Sequence, residues 1–452
     1  MALAACTSPV GVYRPRRPLA SPLYRLLSDH FEHFRGQYED VVEHEYGRWR
    51  RVVDTVVGRY LDCGVLEAGF ARVRCADCAA EYLLAFSCKT RYFCPSRHAK
   101  RLAAWTVWLD DELLAPVPHR QMVFVLPKRL RLYFQWHRRL LGDLARIAAR
   151  TATAFVRATL DEPDVAVGIV LCLQTHGSLL NWQPHVHALV TDGGFRPDGT
   201  FVSMPAHSTE VLTEAFRRAV LKLFVDRELF EPEVADNMLD WMHSGFSVHD
   251  SVWLDQDDAA AQARLARYCA RCPVSLERLE YDAKSGTVSY SSDKADGPTA
   301  GRYTFEPTAF IARLVAHIPD KGQALQRYYG YYANRTRGER RKALAGVVEP
   351  IDGDAGVGGA DLPLRDVTIV EPEAFNRAEA RHRWAELLRL IYEVDPLVCP
   401  RCGGQMRVVA LIQDPKVIDK ILRHVRAKGS NATAGPWATG PPRSDGSQVE
   451  AA

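Results

Sequence analysis

The alternation of hydrophobic and polar positions predicts helices and short strands in turn along the chain. Residues 20 to 60 repeat apolar positions at helical spacing, which predicts a helical N-terminal region. The segment "RQMVFVLP" at 120 to 127 predicts a strand, and "QWHRRLLGDLARIAARTATAFV" at 135 to 156 predicts a helix. A hairpin is predicted next, from "AVGIVLCLQTHG" at 166 to 177 and "PHVHALVTDGG" at 184 to 194.

A short helix and further strands are predicted in the following part of the chain. The segment "DDAAAQARLARYCARCP" at 257 to 273 predicts the helix, with Asp257 or Asp258 at its acidic start. Residues 279 to 305 predict short strands joined by a turn. The glycine- and aspartate-rich segment at 352 to 363 is typical of a linker.

Composition places the chain among soluble globular proteins. Of its 452 residues, 47% are hydrophobic and 25% are charged, and the net charge is only +3. A charge this small does not indicate a nucleic-acid partner, so such a partner has to be argued from local patches. No apolar run reaches the ~18 residues of a membrane helix, and the first arginines follow the apolar stretch, opposite to a secretory signal. We therefore expect a cytoplasmic protein with no membrane partner.

Eleven cysteines, most of them in tight pairs, favour metal ligation over disulfides in a cytoplasmic chain. Two cysteines separated by two residues can both reach one zinc ion, because the tight turn between them points both sulfurs inward. A second pair about ten to twenty residues further on would complete a tetrahedral site. The expected zinc ligands are drawn from Cys75, Cys78, Cys88, Cys94 and His98.

The second half of this predicted zinc site is irregular. Arg97 follows Cys94 at the position where a regular CxxC pair has its second cysteine. Cys88 or His98 would therefore have to supply the fourth ligand. The alternative is a set of reduced cysteines that pack as small hydrophobic side chains.

The segment "CPRCGG" at 399 to 404 contains half of a further zinc site. Cys399 and Cys402 have the spacing of one ligand pair. They could bind a second zinc together with Cys63 or a nearby histidine, or bind no metal.

Two histidines lie one residue apart in the predicted hairpin. Alternation at period two puts His185 and His187 on one face of their strand. Gln174 and His176 lie roughly opposite them if the segment after Gly177 is a hairpin connection. Two imidazoles with an amide or a third imidazole would hold a divalent ion that keeps positions open for substrate oxygens, as Mg²⁺ or Mn²⁺ does with phosphates.

A tyrosine on the short predicted helix is a candidate nucleophile. Tyr268 is flanked by Arg264, Arg267 and Arg271. A phenol has a pKa near ~10, so it attacks phosphorus well only where arginines or a metal stabilise the charge. Periodicity alone favours the alternative, a core tyrosine on an amphipathic helix whose arginines face solvent.

The stretch "RYYGYYANRTRGERRK" at 327 to 342 interleaves aromatic rings with cations. Rings that stack on bases and cations that meet phosphates are what single-strand binding requires. The alternative is a solvated basic helix with core tyrosines. The tyrosines from Tyr328 to Tyr332 are also rival nucleophiles to Tyr268. The DNA-binding candidates are Arg267, Arg327, Tyr328, Tyr329, Arg335, Arg337 and Arg340.

The histidine pair, followed downstream by a helix that carries a tyrosine, resembles the HUH endonuclease superfamily. Within it, the chain closely resembles the rolling-circle transposases of the insertion-sequence-ninety-one group, particularly the single-tyrosine ISCR type, over roughly residues 60 to 425. The segments that carry the resemblance are "GFARVRCADC", "FSCKTRYFCPS", "QMVFVLPKRLR", "QTHGSLLNWQPHVHALVTDGGF", "ARYCARCPVSLERL", "HIPDKGQALQRYYGYYANRTRGER" and "DPLVCPRCGGQM".

The resemblance assigns roles to individual residues. The segment "FVLP" at 124 to 127 matches the first family motif, a strand of the central sheet. His185 and His187 match the metal-binding pair of the second motif. The resemblance does not fix the third metal ligand, for which we choose Gln174 over His176.

Tyr268 matches the tyrosine nucleophile of the third family motif. Members of the two-tyrosine type have a second tyrosine four residues earlier, where this chain has Arg264. A one-tyrosine mechanism is therefore implied. The family also commonly has a cysteine where this chain has Arg97, which shifts the zinc assignment towards Cys88 or His98.

The implied fold is α+β, with an HUH endonuclease core of antiparallel sheet flanked by helices, an N-terminal zinc-binding domain and a small C-terminal CxxC segment. The implied activity is rolling-circle transposition by metal-dependent cleavage and rejoining of single-stranded DNA through a 5′-phosphotyrosine intermediate. Mg²⁺ or Mn²⁺ would be the catalytic metal and Zn²⁺ a structural one. The implied partners are the single-stranded ends of the element and host replication enzymes, for a protein associated with the nucleoid.

Six regions are expected from these patterns. They are an N-terminal helical region (1–60), a cysteine-rich zinc-binding domain (61–110), a catalytic domain (111–345), a linker (346–370), the CxxC segment (371–427) and a disordered tail (428–452).

Two other classes of function use some of the same residues. A zinc-dependent DNA-binding protein without nuclease activity would keep the cysteines and the basic stretch but would not need Tyr268. A zinc hydrolase would use His185, His187 and a carboxylate that activates water. Asp192 is near in sequence, but its strand parity directs it away from the predicted metal side.

Overall fold

A computed structural model of the chain describes residues 18–90, 92–255, 258–347, 398–399 and 401–427. The predicted linker at 352 to 363 and the predicted tail at 428 to 452 lie outside the described residues. Among the described residues, no helix combines the length and the apolar character needed to cross a membrane.

The helices of the described residues are α1 (Pro22–Gly36), α2 (Tyr38–Val41), α3 (Glu43–Tyr46), α4 (Arg51–Leu61), α5 (Pro95–Trp108), α6 (Lys128–Trp136), α7 (Leu140–Leu160), α8 (Glu210–Asp226), α9 (Pro232–Leu239), α10 (Ala259–Cys269), α11 (Pro307–Ala316), α12 (Asn334–Val347) and α13 (Pro415–Ala427).

The strands are β1 (Phe70–Cys75), β2 (Glu81–Ala85), β3 (His119–Val125), β4 (Gly168–His176), β5 (Trp182–Thr191), β6 (Gly193–Phe195), β7 (Phe201–Ser203), β8 (Ser247–Leu254), β9 (Leu279–Asp282), β10 (Thr287–Ser291), β11 (Arg302–Phe305), β12 (Gln326–Gly330) and β13 (Met406–Ile412). Helices mixed with antiparallel sheets confirm the predicted α+β class.

The chain divides into two compact units. The first, which we call the cysteine unit, combines the described residues up to 29, those of 55–100 and the described residues after 376. The second, the sheet unit, combines residues 30–54 with 101–375. The C-terminal CxxC segment, expected as a separate region, therefore belongs to the same unit as the N-terminal cysteines.

The cysteine unit contains an antiparallel sheet in the order β13-β1-β2. Strand β13 pairs with β1 from Phe70 opposite Ile412 to Cys75 opposite Met406. Helix α13 packs on this sheet through a buried cluster that includes Phe70 and Leu422. Local sequence does not favour this pairing, because the two strands are more than three hundred residues apart; buried apolar contacts stabilise it.

The sheet unit is built on a five-stranded antiparallel sheet in the order β12-β4-β5-β3-β8. All nine residues of β4 are buried, as expected of a strand covered on both faces. Phe124 of β3 packs against Phe216 of α8, with ring centroids 5.0 Å apart, on the face opposite to that of Val123 and Val125. Helix α10 lies against β5 near the face that carries the histidines, where Tyr268 meets His187.

One predicted helix and the alternative helix considered for the basic stretch differ from the elements in the structure. The helix expected at 135 to 156 is divided, since α6 ends at Trp136 and α7 begins at Leu140. The basic stretch at 327 to 342 begins as the edge strand β12 and becomes helical only from Asn334. Its aromatic residues have strand propensity and no helical apolar stripe, so the sheet edge determines their conformation.

Candidate active site and metal centres

His185 and His187 lie side by side on β5, with ring centroids 4.9 Å apart. Strand β4 brings Gln174 directly opposite His185 in the antiparallel register. Strand β3 pairs on the other side, with Val125 opposite His185. Because three adjacent strands hold this face, the two imidazoles are fixed in a rigid and largely buried setting.

The candidate nucleophile Tyr268 lies in the last turn of α10. Asp258 caps the start of this helix, since its side chain accepts a hydrogen bond of 2.8 Å from the backbone N–H of Ala261. The Tyr268 ring meets His187 edge to face at 5.5 Å between centroids, yet the residue is 49% exposed. The guanidinium of Arg271 lies 5.0 Å from the centroid of the same ring. Tyr268 therefore borders the histidine pair and remains accessible to a large substrate.

Gln174 joins the histidine face to the helix of the tyrosine. Its amide nitrogen donates hydrogen bonds to the backbone carbonyls of Tyr268 at 3.1 Å and Cys269 at 2.7 Å. Its Oε1 is buried and meets no hydrogen-bond donor among the described residues. A buried oxygen without a hydrogen-bond donor destabilises the folded protein unless it binds a ligand. Gln174 can thus hold α10 through its nitrogen and offer its oxygen to a cation.

His176, the alternative third ligand, lies elsewhere. In the β4–β5 ladder it is opposite Trp182 rather than opposite the histidine pair. Its ring contacts that of His317, with centroids 5.8 Å apart. The structure therefore places Gln174, and not His176, directly across from His185.

Each histidine of the pair has one ring nitrogen engaged. The Nδ1–H of His185 donates to the backbone carbonyl of Gln183 at 2.8 Å, which leaves Nε2 as the basic nitrogen. The Nδ1 of His187 is 2.9 Å from the side-chain amide of Gln121. Burial lowers the pKa of His185 to about 4 and that of His187 to about 3, so both imidazoles are neutral near pH 7. Neutral imidazole is the form that ligates metals.

Gln121, whose side-chain amide lies beside Nδ1 of His187, was not predicted as a site residue from the sequence. Its position on β3 has the same parity as Val123, which is the register partner of His187. A polar side chain at an inward parity of a buried strand is the signal that could have identified it.

The described residues offer no carboxylate to this site, because no acidic side chain groups with the histidines at metal-binding distance. Asp192 is instead held by Arg120 at 2.9 Å and by the indole N–H of Trp253 at 2.7 Å. Its orientation agrees with the parity argument. This arrangement disfavours a hydrolase that uses a metal-bound water and a carboxylate.

The basic stretch makes more contacts within the protein than its sequence indicates. The Trp105 indole N–H donates to the hydroxyl of Tyr328 at 2.7 Å, and Arg337 lies 5.2 Å from the centroid of the Trp108 ring. Arg340 lies 3.6 Å from the centroid of Tyr331. Of the remaining DNA-binding candidates, Arg267 and Arg335 are exposed, and Arg327 and Tyr329 are partly exposed.

Tyr332 belongs to the core. It is fully buried, and its hydroxyl accepts a hydrogen bond from the backbone N–H of Ala115 at 3.1 Å and lies 2.7 Å from Nε2 of His119. A hydroxyl enclosed in this way cannot reach a DNA phosphate. As a rival nucleophile, Tyr332 is therefore excluded by its burial.

Tyr332→Phe is expected to destabilise the protein without removing any reactive group. The change leaves the buried N–H of Ala115 and the ring nitrogen of His119 without their partner, which should lower the free energy of unfolding by about 1–3 kcal/mol. Urea titration measures the change. The matched control is Tyr303→Phe, whose exposed hydroxyl donates to the Pro298 carbonyl and whose loss should cost under about 0.5 kcal/mol. Equal effects of the two changes would contradict the core assignment.

Two groups of cysteines converge in the cysteine unit. In the first, the sulfurs of Cys75, Cys78, Cys399 and Cys402 all lie within 4.8 Å of one another. Four thiolates at such distances fit the tetrahedral preference of zinc. The pKa of Cys75 is lowered to about 7, chiefly by the backbone N–H of Cys78, which favours the thiolate that a metal requires.

The second group consists of Cys63, Cys88 and Cys94, three buried thiols within 4.8 Å of one another. The structure therefore corrects the expected grouping of Cys75 and Cys78 with Cys88 and Cys94. The expected pairing of Cys399 and Cys402 with Cys63 or a histidine is also wrong, because these two cysteines meet the first pair. His98 is buried in α5 but is not part of either group. Closeness in sequence indicated the wrong partners, because the fold brings the pair Cys75 and Cys78 to the C-terminal CxxC pair, and Cys88 and Cys94 to Cys63.

Comparison with known protein families gives two matches. A family model described as "Transposase zinc-binding domain" matches residues 30–126, and one described as "Putative transposase" matches residues 168–340. The second range contains the histidine pair, Gln174 and Tyr268. Both descriptions agree with the family that the motifs indicated.

Two curated proteins are similar over much of their length. The transposase for insertion sequence element IS801 of Pseudomonas savastanoi pv. phaseolicola is 28% identical over 386 residues, which is 81% of this chain and 86% of the relative. The "Putative transposase y4qJ" of Sinorhizobium fredii (strain NBRC 101917 / NGR234) is 28% identical over 288 residues, covering 59% of this chain and 71% of the relative. No solved structure matches the chain with significance.

Proposed function

We propose that the chain is a transposase of the insertion-sequence-ninety-one family and that it cleaves and rejoins single-stranded DNA with Tyr268 as nucleophile. The observation that carries this proposal is the edge-to-face contact between Tyr268 and His187, 5.5 Å between centroids, beside His185. An accessible phenol next to two neutral imidazoles and a guanidinium suits phosphoryl transfer better than a structural role. In this proposal the sheet unit is the HUH endonuclease core.

The residues present fit a divalent cation. Nε2 of His185, the ring of His187 and the unpaired Oε1 of Gln174 would hold it, on one face of the sheet. Nitrogen and neutral oxygen donors that leave positions for phosphate oxygens suit Mg²⁺ or Mn²⁺. Such an ion, when bound, polarises the scissile phosphate and neutralises charge that develops on it.

The protein residues account for the remaining parts of the transfer. The Tyr268 oxygen forms a bond to phosphorus as the bond from phosphorus to the 3′-oxygen breaks, and the phenolic proton ends on the released 3′-hydroxyl. The product is a 5′-phosphotyrosine bond that retains the energy of the phosphodiester. A later strand's 3′-hydroxyl can reverse the step without ATP. Gln174 holds the Tyr268 carbonyl and so orients the phenol.

In this proposal one strand is transferred by a rolling-circle mechanism that uses a single tyrosine. Because Arg264 occupies the place of a second tyrosine, the same residue has to serve both cleavage and rejoining. The single-stranded ends of the element would be the substrate, and host enzymes would carry out replication. In this proposal the exposed Arg267 and the partly exposed Arg327 contact the DNA backbone.

Adduct formation tests the proposal. Labelled single-stranded DNA that carries the element's terminus is incubated with purified protein and Mn²⁺ or Mg²⁺, then run on a denaturing gel. A labelled protein band that needs the metal and is absent with duplex DNA is the expected result. Tight DNA binding without an adduct would instead support the zinc-dependent DNA-binding protein.

Gln174→Leu is expected to lower the cleavage rate about 100-fold, because it removes both the candidate oxygen ligand and the donor that holds Tyr268. Gln174→Glu keeps an oxygen but loses the donor. We expect this variant to need about the same Mn²⁺ concentration for cleavage as the wild type, while its cleavage rate stays low. Cleavage rates across a Mn²⁺ titration separate the two effects.

The matched control is Gln135→Leu, which removes another buried glutamine whose amide donates to a backbone carbonyl, that of Glu45 at 3.0 Å. This change should alter stability but not the metal requirement of cleavage. If Gln135→Leu and Gln174→Leu affect cleavage equally, Gln174 has no special role in the site.

A further inference from the structure

The two CxxC pairs of the first cysteine group come from segments more than three hundred residues apart in the sequence. Cys75 Sγ lies 3.5 Å from Cys402 Sγ, across 327 residues of sequence. Cys78 Sγ lies 3.6 Å from Cys399 Sγ, across 321 residues. Each sulfur of one pair thus meets a sulfur of the other.

The backbone of each pair forms a tight turn that aims its sulfurs at the other pair. At the C-terminal pair, the N–H of Cys399 donates to Gly404 O at 2.7 Å, and the N–H of Gly403 donates to Cys399 O at 2.8 Å. Gly403 has a φ of +73°, in the left-handed region that favours glycine. At the N-terminal pair, the N–H of Cys75 donates to Ala80 O at 2.8 Å. Both turns resemble the knuckles in which paired cysteines ligate zinc.

The strands beside these turns hold the two segments together. Cys75 is the register partner of Met406, and the N–H of Ala76 donates to Gln405 O at 3.0 Å. Val73 and Met406 share one buried cluster with Cys75 and Cys399. The C-terminal segment is therefore part of the fold of the cysteine unit.

We propose that a single zinc ion bound by Cys75, Cys78, Cys399 and Cys402 joins the two ends of the chain into one zinc-ribbon module. The residues matched by the zinc-binding family end at 126, so half of this ligand set lies outside them. In the same proposal Cys63, Cys88 and Cys94, whose sulfurs lie within 4.8 Å of one another, bind a separate ion. The proposal does not depend on the cleavage chemistry of Tyr268.

Zinc content of the purified full-length chain tests the shared ion. Replacing both Cys75 and Cys78 by serine should remove one zinc per chain, and so should replacing both Cys399 and Cys402. The four changes together should still remove only one, because all four ligands serve the same ion. A loss of two zinc ions would mean that each pair binds its own ion and would overturn the proposal.

The second cysteine group provides the additive comparison. Cys63→Ser with Cys94→Ser should remove one further zinc, whether or not the first group is intact. Arg401→Ser, adjacent to the exposed Cys402, is the control that should leave the zinc content unchanged.

Cobalt substitution decides the case if the serine variants unfold. Histidine is itself a zinc ligand, so Cys78→His and Cys402→His should retain a metal at the site. We expect each change to shift the visible absorption band of the one cobalt ion at this site. Both changes together should shift that same band further. Two bands that respond separately, one to each change, would show separate ions and contradict the proposal.

Discussion

Tyr268→Phe is expected to abolish the covalent protein–DNA adduct and to lower strand cleavage by about 10³-fold or more. The phenolic oxygen is the atom that would bond to phosphorus, and without it no covalent route remains. The fold should be unaffected, since the side chain is 49% exposed and its ring contact with His187 does not involve the hydroxyl. DNA affinity should stay near wild type. Adduct yield and cleavage rate are read from the same denaturing gel.

Tyr329→Phe is the matched control for this prediction. Tyr329 is a partly exposed tyrosine of β12, opposite Ile169 in the ladder, and it is a rival nucleophile by sequence. We expect this variant to form the adduct at a wild-type level. Adduct that survives Tyr268→Phe but disappears in Tyr329→Phe would transfer the nucleophile to the basic stretch.

His187→Ala is expected to lower the affinity for Mn²⁺ at least about 100-fold and to remove cleavage at metal concentrations that saturate the wild type. The imidazole would supply one of three protein donors, and its ring also packs against Tyr268. His185→Ala should lower metal affinity in the same way while leaving the Tyr268 contact in place. Calorimetric titration of Mn²⁺ measures the affinity without relying on activity.

His249→Ala is the control for both histidine variants. His249 is exposed on β8, an edge strand of the same sheet, and is the register partner of Val123. Its removal should leave Mn²⁺ affinity and cleavage unchanged. Wild-type Mn²⁺ affinity in both His185→Ala and His187→Ala would show that the pair is structural and would favour the DNA-binding protein.

Local pattern was sufficient to predict the strands of the site. Period-two alternation placed His185 and His187 on one face, and the hairpin arrangement placed Gln174 opposite, as the β4–β5 register confirms. The start of α10 was also correct, because Asp258 caps it. These features depend on residues close in sequence, where periodicity and capping act directly.

The contact of Tyr268 with His187 could not be predicted from periodicity, which favoured a core tyrosine. Their approach depends on how α10 packs on the sheet, 81 residues after the histidine. Only the resemblance to a family motif indicated it. The support given to His187 by Gln121 was missed for the same reason, since a polar residue in a strand does not reveal its partner.

The cysteine groups show where sequence spacing fails. CxxC spacing identified Cys75 with Cys78 and Cys399 with Cys402 as ligand pairs, but proximity joined the first pair to the wrong partners. The pairing is decided by β13 adding to β1, a contact over more than three hundred residues that buried apolar area stabilises. Spacing predicts half-sites, and the tertiary fold decides which halves meet.

The most direct test of the central claim is to identify the residue that carries the DNA. Trypsin cleaves after Arg267 and Arg271, so the adduct, once trimmed with nuclease, should yield the peptide Tyr268–Arg271 with a nucleotide bound through a 5′-phosphate to the phenolic oxygen. Mass spectrometry of the wild-type adduct measures this. The account predicts the modification on Tyr268; a nucleotide on any peptide of the 327 to 342 stretch would contradict it.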